Sequence, residues 1–327
     1  MFILTEYCAY YSLFYYKKKF DKIKKVIFFF NLLLFIFIIY LDNIIKENKI
    51  KVCLCTIGKL ENKYIVEFVE YYKNFNIDKI FIYDNNDING EKFEDILSDY
   101  MKLNFIEIIH HRGEKKIQYK MYQDCYKKNN KTYDWLIFYD IDEYIHLINY
   151  HNIKDFLIQK KFNKCQSIYL NWMIHTDNNL KYYDNRSLYT RFTENYKNEK
   201  FCIGKTIIRG RIENLKIISL HLLDINIGRC NGFGKVIKIK NKTTSCELPD
   251  YKYFYIDHFY SKSTEEFINK INKGDAAFYQ NIQNKYIRIK FYFRFNKITK
   301  EKMNYIIKKT NLNLSVLMNK LKNIKII

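Results

Sequence analysis

Between residues 51 and 143 the chain alternates short, β-branched apolar runs with stretches of helical period, and no other feature constrains the fold as tightly. Residues 51–57, Lys-Val-Cys-Leu-Cys-Thr-Ile, suit a strand buried on both faces. In residues 61–75 apolar side chains recur at Ile65, Phe68, Val69 and Tyr72, the spacing of one helix face. Residues 79–83 read as a second strand ending in a turn at 84–87. A helix over 91–100, a strand over 105–109, a helix over 115–128 and a strand over 134–139 follow. Strands separated by helices at this spacing specify βαβ units and a parallel sheet, so the expected class is α/β. Ligands of such sheets bind beyond the carboxyl ends of the strands.

The second half is less regular. Residues 166–172 and 251–256 read as strands, and 201–218 as short β-like runs around Gly204 and Gly210. Residues 263–273 form a helix opened by a capping box, Ser263 with Glu266 three positions on. The stretch 299–327 is basic and helical in period, and the chain has a single proline, Pro249, and no Pro- or Gly-rich linker. The expected division is a tail and anchor over 1–48, a catalytic domain over 49–275 and a basic helical tail over 276–327.

Near the amino terminus, Lys17, Lys18, Lys19, Lys22, Lys24 and Lys25 precede an apolar run over residues 26–41. As a helix this run spans roughly 24 Å, against about 30 Å of bilayer hydrocarbon; extension to Ile45 gives 20 residues but admits Asp42 and Asn43, so the length is marginal. The basic flank places the amino terminus in the cytosol. No Ala, Gly or Ser lies between Asp42 and Ile57 to form a cleavage site. The expectation is an uncleaved signal anchor over 26–45 in a single-pass membrane protein, of the secretory pathway if the cell is eukaryotic. The alternative is a soluble cytoplasmic protein in which this helix is buried or amphipathic.

The net charge of +21, from 56 basic and 35 acidic side chains, favours anionic partners. No Arg-rich tract or nucleic-acid-binding motif accompanies it, so nucleic acid is not an expected partner. The richness in Lys, Asn, Ile, Tyr and Phe matches AT-rich codon usage, which by itself places lysine on a solvated surface. The eight cysteines contain no CxxC pair. Cys53 and Cys55 share one face of a strand and read as small core residues, and the pattern leaves the redox compartment open. Asn-x-Ser/Thr sequons begin at Asn130, Asn185, Asn241 and Asn313.

The chemistry is expected where the fourth strand ends, at Asp140-Ile-Asp142-Glu143. In an extended chain Asp140 and Asp142 point to one side and Ile141 to the core. Two such carboxylates repel each other, and a divalent cation removes the repulsion. Oxygen ligands suit Mg²⁺ or Mn²⁺, which also bind diphosphates and stabilise the charge on a leaving diphosphate.

Residues 51 to about 275 resemble family 2-like glycosyltransferases of the branch close to glycosyltransferase family 92. The resemblance rests on ordered pieces: Thr56-Ile-Gly-Lys59-Leu-Glu61 with Tyr64-Ile-Val-Glu67-Phe68, Ile82-Tyr83-Asp84-Asn85, and Gln118 with Asp124-Cys125-Tyr126. Trp135 through Tyr144 is the closest piece. Arg191-Phe192, Lys205-Thr-Ile-Ile-Arg209 and His258-Phe-Tyr-Ser-Lys262-Ser263 with Glu266, Phe267 and Lys270 complete the set. Leu60 departs from the pattern, which has Asn there.

The resemblance implies a GT-A fold, with its Rossmann-like mixed sheet flanked by helices, a nucleotide-sugar donor (a UDP-sugar), a Mn²⁺ or Mg²⁺ ion, and a glycan, glycoprotein or lipid acceptor. By position, Thr56, Glu61, Asp84 and Gln118 would serve the nucleotide, and Asp140 and Lys262 its diphosphate. Asp140, Asp142 and His258 would hold the metal, with His221 a rival for His258. An inverting transfer needs a base for the acceptor hydroxyl. Asp224 has the most suitable position along the chain, with Asp177 and Asp257 as alternatives. Two other classes stay open: a nucleotidyl- or phosphotransferase on a similar sheet, and a non-catalytic basic membrane-associated protein.

Overall fold

The computed structural model describes residues 22–25, 27–41, 45, 50–196, 202–217, 221, 228–238, 249–274 and 282–320. The chain divides into two compact units, Met1–Lys49 and Ile50–Ile327. In the first unit, helix α1 (Lys22–Leu41) is long and apolar enough to cross a membrane. Its 20 residues span about 30 Å at 1.5 Å per residue. Large apolar side chains along it, among them Phe28, Phe30 and Phe35, are exposed.

The second unit begins with the expected alternation: β1 (Val52–Gly58), α2 (Asn62–Asn74), β2 (Lys79–Asp84), α3 (Glu94–Lys102), β3 (Ile106–His110), α4 (Gln118–Asn129) and β4 (Trp135–Phe138). There follow β5 (Glu143–Leu147), α5 (Ile153–Leu157), β6 (Ser167–His175), α6 (Leu188–Arg191), β7 (Asn195–Tyr196), β8 (Gly204–Arg209), β9 (Arg229–Cys230) and β10 (Phe254–His258). The helices α7 (Thr264–Lys273), α8 (Ile282–Phe295), α9 (Lys300–Thr310) and α10 (Leu314–Lys320) complete it.

The strands form one mixed sheet in the order β3-β2-β1-β4-β8-β6-β10-β5, with β7 and β9 attached to β6. The β3-β2-β1-β4 half is parallel, because each crossover carries a helix. β8 enters antiparallel between β4 and β6, and β5 pairs antiparallel with β10 at the edge. Gly204 permits the β6–β8 pairing, since a Cβ there would lie 1.9 Å from the Leu170 carbonyl oxygen. One core face packs Ile65, Phe68, Val69 and Tyr72 of α2 against Leu54, Ile80 and Ile137. The other packs Met121, Tyr122 and Cys125 of α4 against Cys53, Cys55 and Leu136.

The capping box of α7 forms as expected: Ser263 Oγ accepts from Glu266 N while Glu266 reciprocates to Ser263 N. The cysteines do more than fill the core. Cys55 is bonded to Cys125 and Cys165 to Cys230, whereas Cys53 is a free, buried thiol. α8, α9 and α10 bury Tyr286, Ile289, Ile306 and Leu317 in a cluster shared with Phe267 and Ile271 of α7.

Candidate active site

The acidic motif sits on a turn rather than on an extended strand. β4 ends at Phe138, and Glu143 N donates to the Asp140 carbonyl at 3.0 Å, so residues 140–143 reverse the chain into β5. Ile141 still points into the core. The turn lies where the carboxyl ends of β4 and β10 meet the first residues of β5 and β8, so residues from four strands converge there.

Each carboxylate of the turn is met by a lysine from a distant element. Lys205 Nζ of β8 donates to Asp140 Oδ2 at 2.9 Å and lies 3.3 Å from Glu143 Oε1. Asp140 Oδ1 accepts from Gln118 Nε2 at 2.9 Å and from the Tyr122 hydroxyl at 3.1 Å. Lys270 Nζ of α7 donates to Asp142 Oδ2 at 2.7 Å, and His258 Nε2 lies 3.5 Å from Asp142 Oδ1. Alongside, Lys262 Nζ is 3.5 Å from Glu61 Oε2 and 3.3 Å from the centre of the Tyr64 ring. Lys273 donates to Glu61 and, at 2.8 Å, to the Lys59 carbonyl.

These contacts separate the charge states. Burial opposes ionisation of Asp142, but Lys270, His258 and Lys262 outweigh it and hold the carboxyl well below the usual range. Asp140 is also lowered, with Lys205 overcoming burial and the repulsion of Asp142. Glu143 goes the other way: burial, together with the charges of Asp140 and Asp142, raises it well above the usual range despite Lys205. Burial, aided by Lys270, lowers His258 and favours the neutral imidazole.

A divalent cation fits this donor set. Asp142, Glu143 and His258 each present a ligand atom, all within 4.8 Å of one another. Glu143 and His258 are a cross-strand pair of β5 and β10 and share one face. His258 Nδ1 is buried without a hydrogen-bond partner, which is costly unless something else meets it, and Glu143 Oε1 is buried with only the Lys205 ion pair. Thr56 Oγ1 is buried without a hydrogen-bond partner as well, and Glu61 Oε2 has only its ion pair with Lys262. Trp172 of β6 flanks the group, its ring 4.3 Å from His258 and 5.0 Å from His221, with Nε1 buried and unpartnered.

Of the residues expected from sequence, Gln118 contacts Asp140, His258 pairs with Asp142, and Lys262 pairs with Glu61 while its charge helps to lower Asp142. Thr56 lies within β1, fully buried. Asp84 ends β2 with its oxygens already engaged, accepting from Asn86 N at 2.9 Å and from Arg112 Nη1 at 2.7 Å. Asp177 accepts from Tyr292, from Lys302 Nζ at 2.8 Å and from Asn179 N at 2.9 Å, so it fastens α8 and α9 to the end of β6. Asp257 neighbours His258 in β10 and so faces the opposite side of the sheet. There it meets His175 Nε2 at 2.7 Å, the Tyr189 hydroxyl at 2.9 Å and His146 Nδ1 at 3.3 Å. Asp224 lies outside the described residues.

Sequence reasoning left out Glu143 as a ligand and Lys205, Lys270 and Tyr122 as partners. The chain separations from Asp140 to Lys205 and from Asp142 to Lys270 are 65 and 128 residues, beyond the reach of any spacing rule. The two lysines did fall within the stretches that carried the family resemblance.

The chain belongs to glycosyltransferase family 92, whose sequence profile matches residues 48–314. Among curated proteins, a glycosyltransferase family 92 protein of Ricinus communis is 25% identical over 109 residues, covering 33% of this chain and 19% of that protein. One of Oryza sativa subsp. japonica is 25% identical over 105 residues, covering 32% of this chain and 18% of that protein. The matched segment thus spans less than a fifth of the length of these relatives. Among solved structures, S. aureus TarS residues 1–349 align over 74% of this chain and 70% of that one, with 12% identity and a TM-score of 0.34. The same fragment in complex with UDP aligns at 13% identity with a TM-score of 0.36, again over 74% and 70% of the two chains.

Proposed function

We propose that the chain transfers a sugar from a nucleotide-diphosphate donor, a UDP-hexose, to a hydroxyl of a glycan, glycoprotein or glycolipid, on a GT-A fold and with inversion. The observation that carries this reading is the turn at 140–143, where Asp142, Glu143 and His258 converge beside Lys205, Lys262 and Lys270. Membership of a glycosyltransferase family gives that convergence its chemical direction.

In this reading Asp142, Glu143 and His258 would hold Mn²⁺ or Mg²⁺, with Asp140 beside them. When bound, the ion supplies Lewis-acid stabilisation of the departing diphosphate. The chain's own residues do the rest. Lys205 fixes Asp140 and Glu143 in place, and Gln118 and Tyr122 orient Asp140 further. Lys262 and Lys270 offer positive charge to the diphosphate oxygens. Thr56 and Glu61 line the nucleoside end. Asp224 is the base that takes the acceptor proton, because the oxygens of Asp177 and Asp257 are committed elsewhere.

The same reading places the protein on a membrane through α1, amino terminus cytosolic and catalytic unit on the far side. The disulfides among the described residues of that unit support an oxidising compartment.

The test is a donor-hydrolysis screen across nucleotide sugars with and without Mn²⁺. We expect metal-dependent release of a nucleoside diphosphate, and Asp142→Asn to lower it at least about 100-fold while circular dichroism stays native. Release of pyrophosphate instead points to a nucleotidyltransferase. Full activity in a folded Asp142→Asn variant removes the turn from the mechanism.

A further inference from the structure

Among the described residues, the carboxylates at the site already have cations. Asp140 and Glu143 share Lys205, Glu61 takes Lys262 and Lys273, and Asp142 takes Lys270. The protein alone therefore has no surplus of negative charge to offer a metal.

The lysines differ in their freedom to change partner. Lys205 has a side chain 1% exposed and sits between two carboxylates on a central strand. Lys270 is 24% exposed, on the outer helix α7, and its Nζ is 2.7 Å from Asp142 Oδ2. The other oxygen of that carboxylate faces His258. An ion ligated by Asp142, Glu143 and His258 would bind at roughly 2.0–2.6 Å from the same carboxylate. An ammonium and a divalent ion on one carboxylate in a buried setting repel strongly. Lys270 and the metal thus compete for Asp142.

Resting on the donor-site reading above, we propose that Lys270 is a resident counter-ion which the metal displaces from Asp142 and which then pairs with the nucleotide diphosphate. Released from Asp142, the ammonium keeps only the Tyr260 carbonyl at 3.3 Å and the Tyr260 ring 4.5 Å away, neither of which carries a full negative charge, until a phosphate arrives. A lysine side chain is a mobile point charge suited to such an exchange. The consequence is thermodynamic coupling. Metal binds weakly without nucleotide, nucleotide binds weakly without metal, and each strengthens the other by the same factor.

Titrations of Mn²⁺, of UDP, and of each in the presence of the other test this on the full chain. For the native protein we expect Mn²⁺ affinity to rise at least about tenfold when UDP is saturating. In Lys270→Met, Mn²⁺ alone should bind about tenfold tighter than in the native protein, because its competitor is gone. UDP with Mn²⁺ should bind about tenfold weaker, and the coupling factor should collapse. Lys270→Arg, which keeps the charge, should retain weak binding of Mn²⁺ alone. Lys102→Met, at an exposed lysine paired with Asp99 on α3 and outside the site, should leave Mn²⁺ affinity unchanged and serves as a folded control.

Unchanged or weaker Mn²⁺ binding in Lys270→Met, or coupling that survives it, overturns the exchange. If the native protein binds UDP and Mn²⁺ independently, the exchange falls while the sugar-transfer reading stands. If it binds neither, both fall.

Discussion

Glu143 and Asp142 are adjacent, yet burial and neighbours drive their protonation in opposite directions. A carboxyl raised on folding contributes stability that is fully present below its unfolded value, about 4.3, and lost as pH rises toward its folded value. Glu143→Gln removes that loss while keeping the shape of the side chain. In a metal chelator, the melting temperature of the variant should exceed that of the native protein by a margin that widens as pH rises above about 4.3. Saturating Mn²⁺ should shrink or reverse the margin, since the ion recruits Glu143 as a ligand. A margin independent of pH would mean that Glu143 ionises as freely in the fold as out of it. At this scale the sequence exposed the acidic residues and hid their partners. Asp140 and Asp142 stand out because carboxylates after an apolar strand are unusual. Lys205 and Lys270 do not, because lysine is everywhere in this chain, with no local pattern to single out two.

At the scale of elements, the alternation from β1 to β4 was legible because each crossover unit is local. The helix expected over 115–128 begins instead at Gln118, after a loop in which Lys116 takes a left-handed φ of 57°. β5 was not legible, because its charged first residue and two-sided burial break the alternation of a half-exposed strand. The placement of β8 between β4 and β6 was also hidden, since non-local pairing leaves no mark on spacing. That placement matters, because it is what delivers Lys205 to Asp140. Gly204→Ala tests it. The added methyl meets the Leu170 carbonyl and neighbouring backbone, which no rotamer can relieve. We expect a loss of about 3 kcal/mol in stability by denaturant titration, accompanied by weakened nucleotide binding. An unperturbed variant would show that β6 and β8 do not pair as described.

For the whole molecule, the scattered cysteines gave no sign of their pairing, which needs three-dimensional proximity rather than spacing. The Cys55–Cys125 bond closes a segment with a sequence separation of 70 residues and ties β1 to α4. Chain-entropy arguments give a closure of that length about 4 kcal/mol. Cys125→Ala should therefore lower stability by roughly 2–4 kcal/mol, read by urea titration. Alkylation and mass spectrometry of the native protein should find Cys53 alkylated only after unfolding, and Cys55, Cys125, Cys165 and Cys230 only after reduction. Removal of residues 1–49 should move the protein from membrane to soluble fractions with donor hydrolysis intact, given that residues from Ile50 onward form their own compact unit.

The chain has two tryptophans, and their settings differ. Trp135 is buried in β4 with the Arg209 guanidinium 4.2 Å from its ring centre. Trp172 lies against His258, at the edge of the acidic turn. One indole is thus a constant background and the other a built-in optical probe. Entry of paramagnetic Mn²⁺ should quench the emission of Trp172, and Trp172→Phe should abolish that response while leaving the signal of Trp135. Occupancy of the site is then readable in unlabelled protein, before any acceptor has been identified.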